Sequence, residues 1–110
     1  MSLWADYQKE RLGYDSIETE SGFVTFKITG AVCEIFDIYV RPEDRRGRKA
    51  WALVDEVVET ARQQRATLLV GYIWPNLPGA EGSMSAHLAY GFRLGSSENG
   101  KIIMTKDIGG

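Results

Sequence analysis

Among its 110 residues the chain has a single cysteine, Cys33, and a single histidine, His87. One cysteine excludes an internal disulfide and a cysteine-based metal site, and it suits a reducing cytoplasm. No run of about 18 apolar residues occurs, and no signal-peptide pattern opens the sequence. The expectation is therefore a cytoplasmic protein that neither spans a membrane nor leaves through one. A broad excess of positive charge is missing too: 13 Lys and Arg against 15 Asp and Glu leave a net charge of −2. That argues against general nucleic-acid binding, which needs a basic face. Repeats, low-complexity tracts and linkers are also absent. Residues 1–110 read as one globular domain with 44% hydrophobic and 25% charged residues, enough for a core.

What positive charge there is sits in one place. Val40-Arg41-Pro42-Glu43-Asp44-Arg45-Arg46-Gly47-Arg48-Lys49-Ala50 holds five basic residues in eleven. It lies between an apolar, strand-like run and a long amphipathic helix. A helix start offers unpaired N–H groups and the positive end of the macrodipole, so it attracts phosphate. Arginines beside it add charge-assisted hydrogen bonds. The sequence of strand, glycine-containing loop and helix reads as a pyrophosphate cradle, against the plainer reading of a solvated basic turn.

The rest of the chain supplies the setting. Leu3 to Leu12 suggests a short helix closed by Gly13; the opening Met1-Ser2-Leu3 carries no weight. From Ser16 to Val40 the pattern is strand-like, with Phe23 to Ile28 and Val32 to Val40 as antiparallel neighbours across Thr29-Gly30. The best-defined helix spans about Arg46 to Gln64. Ala50, Leu53, Val54, Val57, Val58 and Ala61 form its buried stripe, and Asp55, Glu56, Glu59 and Arg62 its wet side. Ala66 to Trp74 is continuously apolar, as in a central strand covered on both faces. Strand, helix, strand over this interval predicts a βαβ crossover with parallel strands. Pro75 to Gly82 reads as a loop, and Ser83 to Tyr90 as two helical turns capped by Ser83 and ended by Gly91. Phe92 to Leu94 and Ile102 to Thr105 make a hairpin around Gly95 to Gly100. The class is α+β: a mixed, mainly antiparallel sheet with one βαβ crossover, flanked by helices.

This order, with Arg45-Arg46-Gly47-Arg48-Lys49-Ala50 as a phosphate loop and Ser83-Met84-Ser85-Ala86-His87-Leu88-Ala89-Tyr90-Gly91-Phe92 near the end, resembles the GNAT superfamily of acyl-CoA N-acetyltransferases. That family's loop reads Gln/Arg-x-x-Gly-x-Gly/Ala. Arg45 and Ala50 match it, while Arg48 stands where the first glycine belongs and Gly47 falls one place early. Trp51-Ala52-Leu53-Val54 is similar to the family's helix start. The resemblance covers roughly residues 16 to 107. Family members usually carry further elements before the second strand, which help to build the acceptor pocket. Here the resemblance implies a minimal member with an open acceptor side, suited to a protein side chain or terminus, or completed by a second subunit.

The resemblance implies acetyl-CoA as acyl donor, an unidentified primary amine as acceptor, and direct attack in a ternary complex. Its pyrophosphate would meet Arg45, Arg46, Gly47, Arg48, Lys49 and Ala50, and its backbone would pair with Ile38, Tyr39 and Val40, which otherwise read as core strand. A backbone N–H near Val40 would stabilise the developing oxyanion. Glu34, six residues before Val40, holds the position of the general base in the histone-acetylating branch. A charge inside an apolar strand is costly unless paired or functional, and the competing reading is an edge-of-sheet surface residue. Asp37 points to the other face under strict alternation, and a bulge would change that. His87, four residues before Gly91-Phe92, corresponds to the proton donor to the departing thiolate, or else is structural. Tyr90 is the alternative donor. Spacing favours Ser83 over Asn76 as a cofactor contact. Trp4, Tyr7 and Trp74 fit either core or a self-association surface, hence a possible homodimer. Besides the acetyltransferase, the other class carried forward is a non-catalytic GNAT-like domain that binds CoA or a protein partner.

Overall fold

In the computed structural model, described for residues 2–45 and 48–109, six strands form one sheet in the order β1-β2-β3-β4-β6-β5. The elements are α1 (Leu3–Leu12), β1 (Asp15–Glu18), β2 (Gly22–Thr29), β3 (Val32–Val40), α2 (Lys49–Gln63), β4 (Leu68–Ile73), α3 (Ala80–Tyr90), β5 (Arg93–Glu98) and β6 (Lys101–Asp107). Only β3 and β4, joined through α2, are parallel; the other pairings are antiparallel. Among the described residues no helix is long and apolar enough to cross a membrane.

One face of the sheet is closed by α2. Its stripe of Leu53, Val54, Val57, Val58 and Ala61 is buried against Val24, Phe26, Cys33, Ile35, Leu69 and Met104. These are the alternate residues of β2, β3, β4 and β6 that period-two geometry sends to one side. Helix α3 lies on this same face, because Tyr90 donates a 2.5 Å hydrogen bond to Asp55 of α2. The opposite face carries Phe23, Phe36, Tyr39 and Tyr72, and α1 lies toward its β1 edge, where Trp4 meets Phe23 of β2 at 4.7 Å. β4 is thus roofed by helices on one side and by aromatic side chains on the other, rather than by helices on both.

Three sequence boundaries need correction. Ser83 does not cap α3: the helix starts at Ala80 behind Gly79 (φ +85°), and the Ser83 N–H donates to Gly79 O at 3.0 Å. The backbone breaks of Pro75, Pro78 and Gly79 all precede Ala80, and Gly82 is tolerated inside the helix at a cost of about 1 kcal/mol. Helix α2 starts at Lys49, three residues later than expected, with Arg48 as its N-cap; Arg46 and Gly47 lie outside the described residues. The hairpin loop shrinks to Asn99-Gly100, both at positive φ (52° and 77°). Those angles suit a tight two-residue turn. Gly95 to Glu98 instead continue β5, a polar edge strand without hydrophobic alternation. Ser2, given no weight in the sequence, caps α1 by accepting from the Ala5 N–H at 3.0 Å.

β2 and β3 meet at Gly22 with no room for a side chain. A Cβ placed on Gly22 falls 1.9 Å from Tyr39 O, a backbone atom that cannot swing away. Gly22→Ala is expected to cost about 2–3 kcal/mol through strand displacement. Gly82→Ala, which meets open space within α3, is expected to be neutral or to stabilise by about 0.5–1 kcal/mol. Urea unfolding of the two variants checks both signs.

Candidate active site

The site is made where the sheet comes apart. β3 and β4 pair at Val32–Leu68, Cys33–Leu69 and Glu34–Val70, and no further. Just beyond, Thr25 pairs with Asp37 but Phe26 with Ile35, so Phe36 is an extra residue bulged out of β3. A bulge bends and twists its strand, and β3 leaves β4 at this point. The Asp37 N–H donates to the hydroxyl of fully buried Thr25 at 3.1 Å. The bulge also reverses the face of Asp37, which joins Glu34 on the side away from α2.

The split exposes a row of backbone groups. The Arg41 N–H donates to Ser21 O at 2.7 Å. Antiparallel bonding alternates, so Tyr39 exchanges bonds with its partner Phe23, whereas Ile38 and Val40 turn their N–H and C=O groups away from β2, into the split. Arg45 Nε reaches Val40 O from that side at 2.7 Å. Two contiguous clefts occupy the space. A narrow apolar one is lined by Ile35, Ile38, Ala50, Trp51, Val54 and His87 among others. A wider one of about 220 Å³ is lined by Phe36, Asp37, Ile38, Tyr72, Ser83 and His87 among others.

His87 and Glu34 approach the split from opposite faces. The His87 Nδ1 lies 2.7 Å from Ser83 O. A carbonyl only accepts, so Nδ1 carries the proton whether the ring is neutral or charged. Nε2 points over Gly71 of β4, where an added Cβ would come within 2.7 Å of it. Phe92 holds the ring edge-on at a centroid distance of 4.8 Å. On the other face the Tyr72 hydroxyl donates to Glu34 Oε2. Burial and this hydrogen bond push the Tyr72 hydroxyl up to about 12, so it stays a donor at neutral pH. The Tyr90 hydroxyl is raised further, by burial and by Asp55, and is tied to α2.

Cys33 lies on the covered face beneath α2, fully buried. Burial first, then the charges of Glu34 and Asp15, push its thiol up to about 11. It is an inert core residue.

At the far end of the split the basic loop is divided in role. Arg41 is held by Asp44 (2.5 Å) and Glu43 (3.8 Å). Arg48 adopts φ +59° at the head of α2, the left-handed conformation in which glycine is at ease and other residues carry a cost of about 1 kcal/mol. Its guanidinium lies over Trp51 at 5.2 Å. Among the described residues no side chain caps the helix there, and a helix start carries N–H groups without intrahelical partners.

The model of the Acetyltransferase (GNAT) family matches residues 4–92. The chain belongs to this family. A comparison with curated proteins finds no match. Among solved structures, this GNAT chain is similar to a GNAT-family protein from Desulfovibrio desulfuricans, at 17% identity and a TM-score of 0.77, over 94% of this chain and 76% of that one. It is similar to the PaiA N-acetyltransferase of Thermoplasma acidophilum in complex with coenzyme A (17%, TM-score 0.76, 96% and 68%). A GNAT acetyltransferase from Elizabethkingia anophelis with acetyl-CoA bound gives 18%, 0.71, 96% and 86%. At these identities the likeness establishes the fold: the GNAT mixed α+β architecture.

Of the residues singled out in the sequence, Ile38, Ala50, Ser83 and His87 line the clefts. Glu34 and Val40 adjoin them, and Arg45, Arg48 and Lys49 stand at one end. Tyr39 directs its backbone to β2 instead and its half-exposed ring to Phe23 and Arg45. The candidate site has two further contributors, Gly71 and Tyr72, which in the sequence sit inside a continuous apolar run. A glycine inside a strand is nevertheless a signal of close approach, and here the approaching group is His87.

The two raised tyrosines make a pH prediction. A hydroxyl whose folded pKa lies above its unfolded value of about 10 favours the folded state at neutral pH. That contribution is lost as pH rises from about 10 through the folded value. Stability is therefore expected to fall above pH 10. Tyr72→Phe and Tyr90→Phe should each flatten that decline and remove one late-titrating hydroxyl from the ultraviolet phenolate titration.

Proposed function

We propose that this chain is an acetyl-CoA-dependent N-acetyltransferase that acylates a primary amine by direct transfer. The observation that carries the reading is the split itself: the Ile38 backbone and the Val40 N–H face an apolar slot, the Val40 carbonyl holds Arg45 at 2.7 Å, and the start of α2 lies at the slot's end beside Arg45 and Arg48. An elongated ligand with amide groups and a pyrophosphate fits that combination. Arg45, Arg48, Lys49 and the first N–H groups of α2 would hold the phosphates, with Ser83 at the slot's other wall. The bound donor supplies an activated acyl thioester and a thiol leaving group.

The chain's own groups divide the remaining work. Glu34, oriented by Tyr72, takes the proton that the attacking ammonium must lose. Backbone N–H groups at Ile38 and Val40 point to where negative charge develops on the carbonyl oxygen. His87 has its Nδ1 proton committed to Ser83, so it delivers a proton to sulfur only from Nε2 of the imidazolium form. Cys33 takes no part, which supports transfer without an acyl-enzyme. The acceptor approaches on the aromatic face, where α1 leaves the sheet open.

Acetyl-CoA or coenzyme A is expected to raise the melting temperature, since a ligand selective for the folded state stabilises it. Arg45→Ala and Arg48→Ala should each weaken coenzyme A binding about tenfold by calorimetry, more at low salt than at high. Unchanged affinity in the double variant overturns the cradle.

Glu34→Gln is expected to lower turnover by about 10²-fold or more, chiefly at pH values where the amine is protonated. His87→Phe should slow thiol release with cofactor affinity nearly intact. Full rates in both variants across the pH range overturn these roles. Tight coenzyme A binding without turnover on any amine or peptide leaves a CoA-binding domain as the function.

A further inference from the structure

The face of the sheet away from α2 and α3 carries a pairing that the acyl-transfer reading does not use. Lys101 Nζ lies 4.3 Å from the ring centroid of Tyr72 and 5.7 Å from that of Trp74. The β4–β6 register explains both distances. Ile73 pairs with Ile102, which sets Trp74 across from Lys101 and Tyr72 on its diagonal, the two positions from which long side chains meet. Trp74 is half exposed (48%), an unusual state for the largest apolar side chain. Tyr72 is the residue whose hydroxyl holds Glu34. The platform therefore begins at the base and runs outward along β4, and it already seats an ammonium on an unbranched alkyl chain.

From this seating we infer that the Tyr72–Trp74 platform is the acceptor-binding site, and that its ligand is a primary ammonium on a flexible, unbranched alkyl chain. That is the chemistry of a lysine side chain and of a free polyamine. Lys101 is the internal occupant that the acceptor displaces. The rings attract the cation through their faces, the alkyl chain lies against Trp74, and the ammonium reaches Glu34 past the Tyr72 ring. Phe36, stacked on Tyr72 at 6.3 Å, and exposed Asp37 extend an apolar and anionic border on the β3 side. A bulky or branched amine has no comparable seat on this flat surface. The inference rests on the acetyltransferase reading for its chemistry but not for its binding.

Calorimetric titration with spermidine and with a capped lysine peptide tests it, on coenzyme A-saturated protein and on the free chain. Both ligands should bind the unaltered protein. Lys101→Ala should tighten binding about two- to fivefold by removing the competitor, and Trp74→Leu should weaken it by a similar factor. Tyr72→Phe keeps the ring and should leave affinity within about twofold. The opposite signs at Lys101 and Trp74 separate recognition from a general loss of structure, which would weaken binding in both. The tighter of the two ligands names the source of the amine. Equal affinities in the unaltered protein, Lys101→Ala and Trp74→Leu overturn the inference, as does absence of binding by both amines. Coenzyme A affinity, measured in the same samples, reports separately on the acyl-donor slot.

Discussion

A parallel strand pair that stops after three residue pairs leaves backbone donors and acceptors which a longer ladder would have consumed. The whole site follows from that. Unpaired N–H and C=O groups cannot sit in a dry interior without partners, so the space between β3 and β4 must admit water or a ligand with amide groups of its own. The bulge at Phe36 sets where pairing ends, and α2 sets what lies beyond it, since the crossover from β3 must begin at the far end of the split. Catalytic candidates then need only be placed at its rims: Glu34 at the last paired position, His87 from the helix that roofs β4.

Electrostatics in the site combine burial with specific pairing. Arg41 is neutralised by Asp44 and Glu43, so that among the described residues Arg45, Arg48 and Lys49 carry the loop's outward charge. Tyr72 and Tyr90 both stay protonated next to carboxylates, yet they serve different ends. One orients a side chain at the rim of the split; the other ties α3 to α2. Thr25 shows the same logic in the core, where its buried hydroxyl accepts the N–H that the bulge would otherwise strand.

Much of this was legible in the residues. The stripe from Leu53 to Ala61 gave away α2 and its buried side, because an amphipathic helix writes its packing into its spacing. The order of strand, basic loop, helix and strand led to the parallel pair and to the family. Less legible were features that depend on two distant segments at once. The bulge is a mismatch of register between β2 and β3, invisible in either strand alone. The Asn99-Gly100 turn was hidden because β5 has Leu94 as its one large apolar residue and lacks alternation. Tyr72 looked like one more apolar residue in a central strand, and only the register with β3 places its hydroxyl on Glu34.

Helix α3 carries the proton-donor candidate, yet none of its residues is fully buried. It is held by the Tyr90–Asp55 bond, by His87 resting on Gly71, and by half-buried Ala80 and Met84 against the core. The opposite wall, β3, is bonded into the sheet along its whole length by β2. The slot therefore has one wall that belongs to the cooperative unit of the fold and one held by a few half-buried contacts. Opening and reclosing that wall requires no rearrangement of the sheet. A long ligand laid along β3 gains entry and exit from the side, without having to thread lengthwise past the arginines.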